Sequence, residues 1–414
     1  MIRRMFLLGW LLLISLGTSR GMGQPLPFAR PEEVGMSSER LQRVDVVIQK
    51  AIEDEDIPGA VLLVARKGRI VYRKAYGYAQ LVPYKVKMKA DMIFDLASIT
   101  KPVATAAAVM LLVEEGKIRL LDKVKKFVPQ FLRYRDKNGR EAPDARIYHL
   151  LTHTSGLPPY TDAEKVRERF GFPCPIDSLV QYIALLPKTN PPGEKFHYSC
   201  LGFITLAKIV KDLTGKNIHH FTQERIFRPL QMEHTAYIPL GKDGKPSDES
   251  DFYKKYRDRI VPTEVVDGKP LHGVVHDPLA RTIGGISGNA GLFSCADDLL
   301  IFAQMILNGG EFRGIRVFSP LAVKRMTTVY EKVKESGRGL GWDLASAYSS
   351  NGGDLFPSGG FGHTGYTGTS IWINPRTQTV VILLANRVHP KDDGTVVPLR
   401  SYVANVVASS ILEP

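Results

Sequence analysis

The 414-residue chain has little cysteine, with only Cys174, Cys200 and Cys295, and only three tryptophans. Three thiols at wide, irregular spacing fit neither a zinc site nor a disulfide framework and allow at most one internal pair. Three reduced, partly buried cysteines are therefore expected. Beyond the N-terminus no stretch reads as membrane-spanning. Repeats and low-complexity tracts are missing as well. The formal net charge is +13, but no basic helix carries interleaved aromatics and no nucleic-acid motif is present, so nucleic acid is excluded as a partner. A solvated basic surface accounts for the charge, and such a surface also favours anionic envelope polymers or membranes. His149 and His153 lie four apart without the glutamate of a metal-binding helix, so both are expected to make structural hydrogen bonds. The adjacent His219 and His220 are read as surface or helix-end residues.

What is present is ordinary globular material: 44% hydrophobic and 23% charged residues, enough for a real core and, at this length, for two lobes around a cleft. At the N-terminus Arg3 and Arg4 precede a short apolar run at 6–16, followed by Gly21 and Gly23 at a position suited to cleavage. Residues 1–23 thus read as a signal peptide. The rest of the chain is placed outside the cytoplasm, periplasmic or extracellular, with membrane contact only if the segment stays on as an anchor.

Along the rest of the chain, apolar residues at helical spacing over 41–51 follow the cap candidates Ser37 and Ser38. Two β-rich runs, 59–65 and 70–75, flank Lys67-Gly68 as a hairpin. Residues 106–113 are apolar all round and predict a buried helix. From 122 to 281 the pattern is mostly helical, with a helix over 203–213 closed by Gly215 and a long polar excursion over 241–269. A helix over 297–307, a strand pair at 369–373 and 379–385, and a final helix over 396–412 complete the chain. The expected fold is α+β: an antiparallel sheet drawn from both chain ends and covered by helices, plus a mostly helical lobe. Residues 24–414 form one catalytic unit, with 24–121 and 282–414 in the α/β lobe and 122–281 in the helical one.

Three short segments carry chemistry. Ser98-Ile99-Thr100-Lys101 opens the buried helix, and a spacing of three puts both side chains on one helical face. A serine hydroxyl is a weak nucleophile until a base takes its proton, and a nearby lysine can do so. Pro102 lacks an N–H, which places the helix start only a few residues earlier and Ser98 near its positive end. In Phe196-His197-Tyr198-Ser199-Cys200 the tyrosine can shuttle a proton if a cation stabilises its anion. Phe361-Gly362-His363-Thr364-Gly365-Tyr366 runs into a strand. Its glycines let a substrate lie against the strand edge, and a backbone N–H there can complete an oxyanion hole.

Taken in order, these segments resemble the S-x-x-K, Y-x-N and K-T-G or H-T-G motifs of the serine β-lactamase and penicillin-binding-protein superfamily, in its class C β-lactamase and family VIII esterase branch. Leu150-Leu151-Thr152-His153-Thr154-Ser155-Gly156-Leu157 is similar to a further family segment, as is Gly288-Asn289-Ala290-Gly291-Leu292-Phe293-Ser294. The likeness runs over residues 31–412. It implies Ser98 as nucleophile of an acyl-enzyme, Lys101 and Tyr198 as its proton network, and the N–H groups of Ser98 and Tyr366 as oxyanion hole. His363, Thr364, Gly365 and Cys200 would line the substrate. His363 stands where many relatives carry lysine, and would bind a carboxylate only when protonated. Cys200 replaces the usual asparagine, whose amide a thiol imitates poorly. No metal or organic cofactor is implied. The expected activity is a serine hydrolase of small ester, amide or peptide substrates, esterase or peptidase-like. The alternatives are a peptidoglycan D,D-carboxypeptidase or weak β-lactamase, and a catalytically silent protein that binds penicillin or wall peptides.

Overall fold

The computed structural model describes residues 26–413 apart from 347 and 350; the expected signal segment lies outside the described residues. Six strands form the main sheet: β1 (Gly59–Arg66), β2 (Arg69–Gln80), β3 (Val86–Lys87), β4 (Phe361–Thr364), β5 (Ser370–Asn374) and β6 (Thr379–Ala385), in the spatial order β4-β5-β6-β1-β2-β3. All neighbours are antiparallel. The N-terminal hairpin thus docks against the C-terminal one, with Ala60 opposite Ala385 and Leu63 opposite Ile382.

Every residue of β1 is buried, so the central strand is covered on both faces. Its side chains alternate between them as the pleat requires. Ala60, Leu62 and Val64 pack with Val44 and Ile48 of helix α1 (Val44–Glu53) and Leu399 and Val403 of the last helix (Val397–Ser409). Val61, Leu63 and Ala65 face the larger core. Each buried Val, Leu or Ile among them contributes about 1.5–3 kcal/mol, so the sheet is the stable platform of the molecule.

The apolar run over 97–114 is the helical element of that larger core. It opens as a 3-10 turn (Ala97–Ile99), widens into a π-helical turn (Lys101–Ala106) and continues as helix α2 (Ala107–Glu114). It is long and apolar enough to cross a bilayer, but most of it is buried inside the protein. Helix α3 (Cys200–Thr214) packs against it and against the helices Ile147–Leu151 and Ile176–Leu185. Gly215, at φ 71°, ends α3 in the left-handed region.

The polar stretch 241–269 has more order than an excursion. Ser250 accepts a hydrogen bond from Tyr253 N and starts the helix Asp251–Tyr256. A two-residue-per-strand hairpin, Val265–Val266 with Lys269–Pro270, follows. Burial of Tyr256 against Ile93, Ile260 and Phe293 ties this segment to the body, a tertiary contact that local polarity conceals. All three cysteines are free, Cys174 and Cys295 buried and Cys200 half-buried.

Candidate active site

Ser98 sits in the turn that starts the helical run, and its position is set from the residue before it. Ala97 adopts φ 45°, a left-handed conformation strained for any residue but glycine. The buried Asp95 carboxylate holds it there, accepting Ala97 N at 2.9 Å and His276 N at 2.7 Å. From the other side the turn after β4 closes on the same segment. Thr367 Oγ1 donates to Asp95 O at 2.7 Å and Thr369 Oγ1 donates to Leu96 O at 3.0 Å. A Cβ on Gly365 would stand 2.1 Å from Thr369 Oγ1 and 2.4 Å from Leu96 O, so only glycine permits this approach.

Lys101, fully buried, donates from Nζ to Ser98 Oγ at 3.0 Å, to the carbonyl of Asn289 at 2.8 Å and to Cys200 Sγ at 3.5 Å. Burial opposes its charge. The anionic forms of Cys200 and Tyr198 outweigh that penalty and hold its pKa above the ordinary lysine value. Nζ also lies 5.0 Å from the centre of the Tyr198 ring.

Tyr198 is gripped by the Thr152-His153-Thr154-Ser155-Gly156 segment. His153 O accepts from His197 N at 2.9 Å and His153 Nδ1 accepts from Ser199 N at 3.0 Å, one bond on each side of the tyrosine. The His153 ring stacks on the Tyr198 ring at 4.3 Å. His149 Nδ1 accepts from Arg146 N at 2.9 Å, so both histidines make structural hydrogen bonds. The Tyr198 hydroxyl faces Ser98 and Lys101 but completes a hydrogen bond with neither. Burial raises the tyrosine pKa, and Lys101 works against that rise. Burial likewise raises the Cys200 thiol, again opposed by Lys101.

The third segment lies on the sheet edge. His363 is buried in β4, and its Nδ1 donates to Thr364 O at 2.8 Å, which leaves Nε2 as an unpartnered acceptor among the described residues. Burial, with Arg338 and Lys101 nearby, pushes its pKa well below the ordinary histidine value. The protonated form that a carboxylate-binding role depends on is therefore disfavoured. Thr364 is half-buried at the end of β4. Gly365 N donates to Thr369 O at 2.7 Å and Gly368 N to Gly365 O at 3.1 Å, a tight turn whose two bonds leave out the Tyr366 N–H. The Tyr366 side chain is turned outward, 57% exposed, its hydroxyl on Asp392 Oδ2 at 2.7 Å and its ring against His276 and Arg387.

The structure thus brings Ser98, Lys101, Tyr198, Cys200 and His363 around one point and sets the Gly365–Tyr366 turn against the backbone preceding Ser98. Sequence reasoning passed over Asp95, Arg338, Thr367 and Thr369. None carries a local signal, because each reaches a partner distant in the chain, Asp95 through His276 N in addition to its short link to Ala97. His153 was visible only as part of a familiar segment.

A serine at a helix start with a lysine one turn away, a buried tyrosine beside both and an antiparallel sheet edge alongside define a serine hydrolase. The beta-lactamase family model matches residues 44–404, and the chain belongs to that family. It is similar to an N-acetylmuramyl-L-alanine amidase of Bacillus subtilis (strain 168), 33% identical over 375 residues that cover 86% of this chain and 83% of the relative. It is 31% identical to a candidate D-alanyl-D-alanine carboxypeptidase of Escherichia coli (strain K12), over 92% of this chain and 89% of that one. Among solved structures the same fold occurs in EstCE1, a hydrolase with promiscuous acyltransferase activity. The match has a TM-score of 0.69 at 22% identity and covers 89% of this chain and 99% of that one. Simvastatin synthase (LovD) of Aspergillus terreus also shares it, with a TM-score of 0.67 at 19% identity over 91% of this chain and all of that one.

Proposed function

We propose that the protein acts outside the cytoplasm, through a Ser98 acyl-enzyme, on small ester or amide substrates, with esters favoured. The observation that carries this reading is the 3.0 Å hydrogen bond from Lys101 Nζ to Ser98 Oγ. In acylation the Ser98 oxygen bonds to the substrate carbonyl carbon and its proton passes into the Lys101–Tyr198 pair, which returns it to the departing alcohol or amine. Water then attacks the acyl-enzyme by the reverse route. The competent form is the pair short of one proton, whichever of the two atoms has lost it, so the two groups titrate as a unit. The N–H groups of Ser98 and Tyr366 would receive the carbonyl oxygen as it gains charge. Thr364, Gly365 and Cys200 would line the bound acyl group.

Two features favour esters. Cys200 provides no amide to hold an acyl-amide side chain, and His363 as a neutral ring offers no charge to a substrate carboxylate. The names of the curated relatives favour wall peptides as the second reading, a D,D-carboxypeptidase or amidase activity of the same serine. Export, which the residues at 1–23 suggest, suits either. Short p-nitrophenyl esters, a D-Ala-D-Ala peptide and nitrocefin assayed side by side decide between them. Turnover highest on the esters supports the first reading, turnover highest on the peptide supports the second, and activity on none of the three refutes both.

A further inference from the structure

The Tyr198 ring is enclosed by titratable groups from several elements. Lys101 and Ser98 face it from the helical run, Cys200 from the start of α3, His153 from the loop after Ile147–Leu151, and His363 from β4 at 6.1 Å between ring centres. Tyr348 covers it at 5.4 Å. From the segment between the helix Pro320–Met326 and β4 comes a further charged group, Arg338.

Arg338 is buried to 1% exposure. Its Cζ lies 6.0 Å from the Tyr198 ring centre and 5.8 Å from that of Phe196. Nη1 pairs with Asp343 at 3.2 Å, and Asp343 is fixed to the sheet edge by backbone bonds with Gly362 of 2.9 and 2.8 Å. Nε and Nη2 have no hydrogen-bond partner among the described residues. An arginine is rarely taken out of water with three of its five donors unused, because the desolvation is costly. A guanidinium at this distance from an aromatic face interacts with the ring quadrupole, and more strongly still with a phenolate.

A tyrosine that shuttles a proton needs its anion stabilised. Lys101 is one cation for that purpose. From the sheet edge the neighbour of the ring is His363, which burial and the nearby charges of Arg338, Lys101 and Arg400 make a poor cation.

We propose that Arg338 is a positioning residue of this site, a guanidinium held by Asp343 that supplies Tyr198 with a second cation beside Lys101. The inference rests on the reading of Ser98, Lys101 and Tyr198 given above. Arg338 touches no reacting atom; it acts through the tyrosine, by making the proton-deficient pair easier to form.

The test is the pH profile of kcat/KM for a p-nitrophenyl ester, measured on the full chain with folding checked by circular dichroism. Arg338→Met should move the ascending limb up by about one pH unit, a loss of about tenfold below the midpoint that closes at high pH. Arg338→Lys should keep the wild-type limb, and adding His363→Lys to Arg338→Met should bring the limb back down. Asp343→Asn, which removes the opposing charge at constant shape, should move it the other way, to lower pH. This last variant decides the matter if Arg338→Met does not fold. An equal loss at every pH in Arg338→Met, or a limb in Asp343→Asn that stays put or rises, overturns the proposal while leaving the Ser98 mechanism intact. Hydrolysis surviving in Ser98→Ala would instead remove the reading beneath it.

Discussion

Lys101 Nζ donates to Ser98 Oγ at 3.0 Å and in the same geometry to the carbonyl of Asn289 at 2.8 Å. The lysine is thus held between the residue it serves and a backbone group nearly two hundred positions away.

This arrangement fixes the direction of the pH dependence. Burial raises the Tyr198 phenol; at Lys101 burial pulls the other way but is outweighed by the anionic forms of Cys200 and Tyr198. The proton-deficient pair therefore becomes more populated as pH rises. Ester hydrolysis should climb about tenfold per pH unit along its ascending limb, and that limb should extend into the alkaline range. A profile already flat from pH 6 upward would contradict this.

Cys200 lies 3.5 Å from Lys101 where the related motif carries an amide. Cys200→Asn should raise turnover of an acyl-amide or nitrocefin relative to a p-nitrophenyl ester by roughly fivefold, about the worth of one hydrogen bond of ~1 kcal/mol. Steady-state rates on both substrates check it, and an unchanged ratio would show that the thiol does not set the preference.

Asp95 holds the strained Ala97 and also accepts from His276 N. Asp95→Ala would leave two buried N–H groups without an acceptor, a cost of about 1–3 kcal/mol each. Its Tm should fall by several degrees. The rate should suffer through kcat more than KM, because the turn that aims Ser98 relaxes. Asp95→Asn, which keeps one acceptor oxygen, should lose less on both counts.

Gly365→Ala tests the other side of the same clamp. The added methyl group would press on Thr369 Oγ1 and on the carbonyl of Leu96, prising the turn that carries the Tyr366 N–H away from Ser98. A fall in kcat of about a hundredfold is expected, the scale of a displaced oxyanion-hole donor. Thermal unfolding and single-turnover acylation measured together separate this from simple destabilisation.

The sheet from both chain ends was legible because its strands carry their own signals. The run 59–65 is continuously apolar, and Lys67-Gly68 and the Asn374-Pro375-Arg376-Thr377 stretch mark the hairpins. Ser98 and Lys101 could be read from a spacing of three and from Pro102. The helix inside the polar excursion 241–269 escaped notice, since Tyr256 is held by contacts with Ile93 and Phe293 rather than by local pattern. The hydroxyls of Thr367 and Thr369, the carboxylate of Asp95 and the guanidinium of Arg338 escaped for the same reason. Each reaches a partner that only the folded chain brings near, apart from the short link from Asp95 to Ala97. His363 shows the converse: its place in the motif was evident, while its burial, which suppresses the charge, was not.

The central claim is that Ser98 is the nucleophile. Intact-mass and peptide-level mass spectrometry after exposure to a fluorophosphonate probe tests it most directly, on the wild type and on Ser98→Ala. A single adduct on the peptide containing Ser98, absent from the variant, is the result predicted. An unlabelled wild type, or a Ser98→Ala protein labelled as well as the wild type, for example at Cys200, would contradict it.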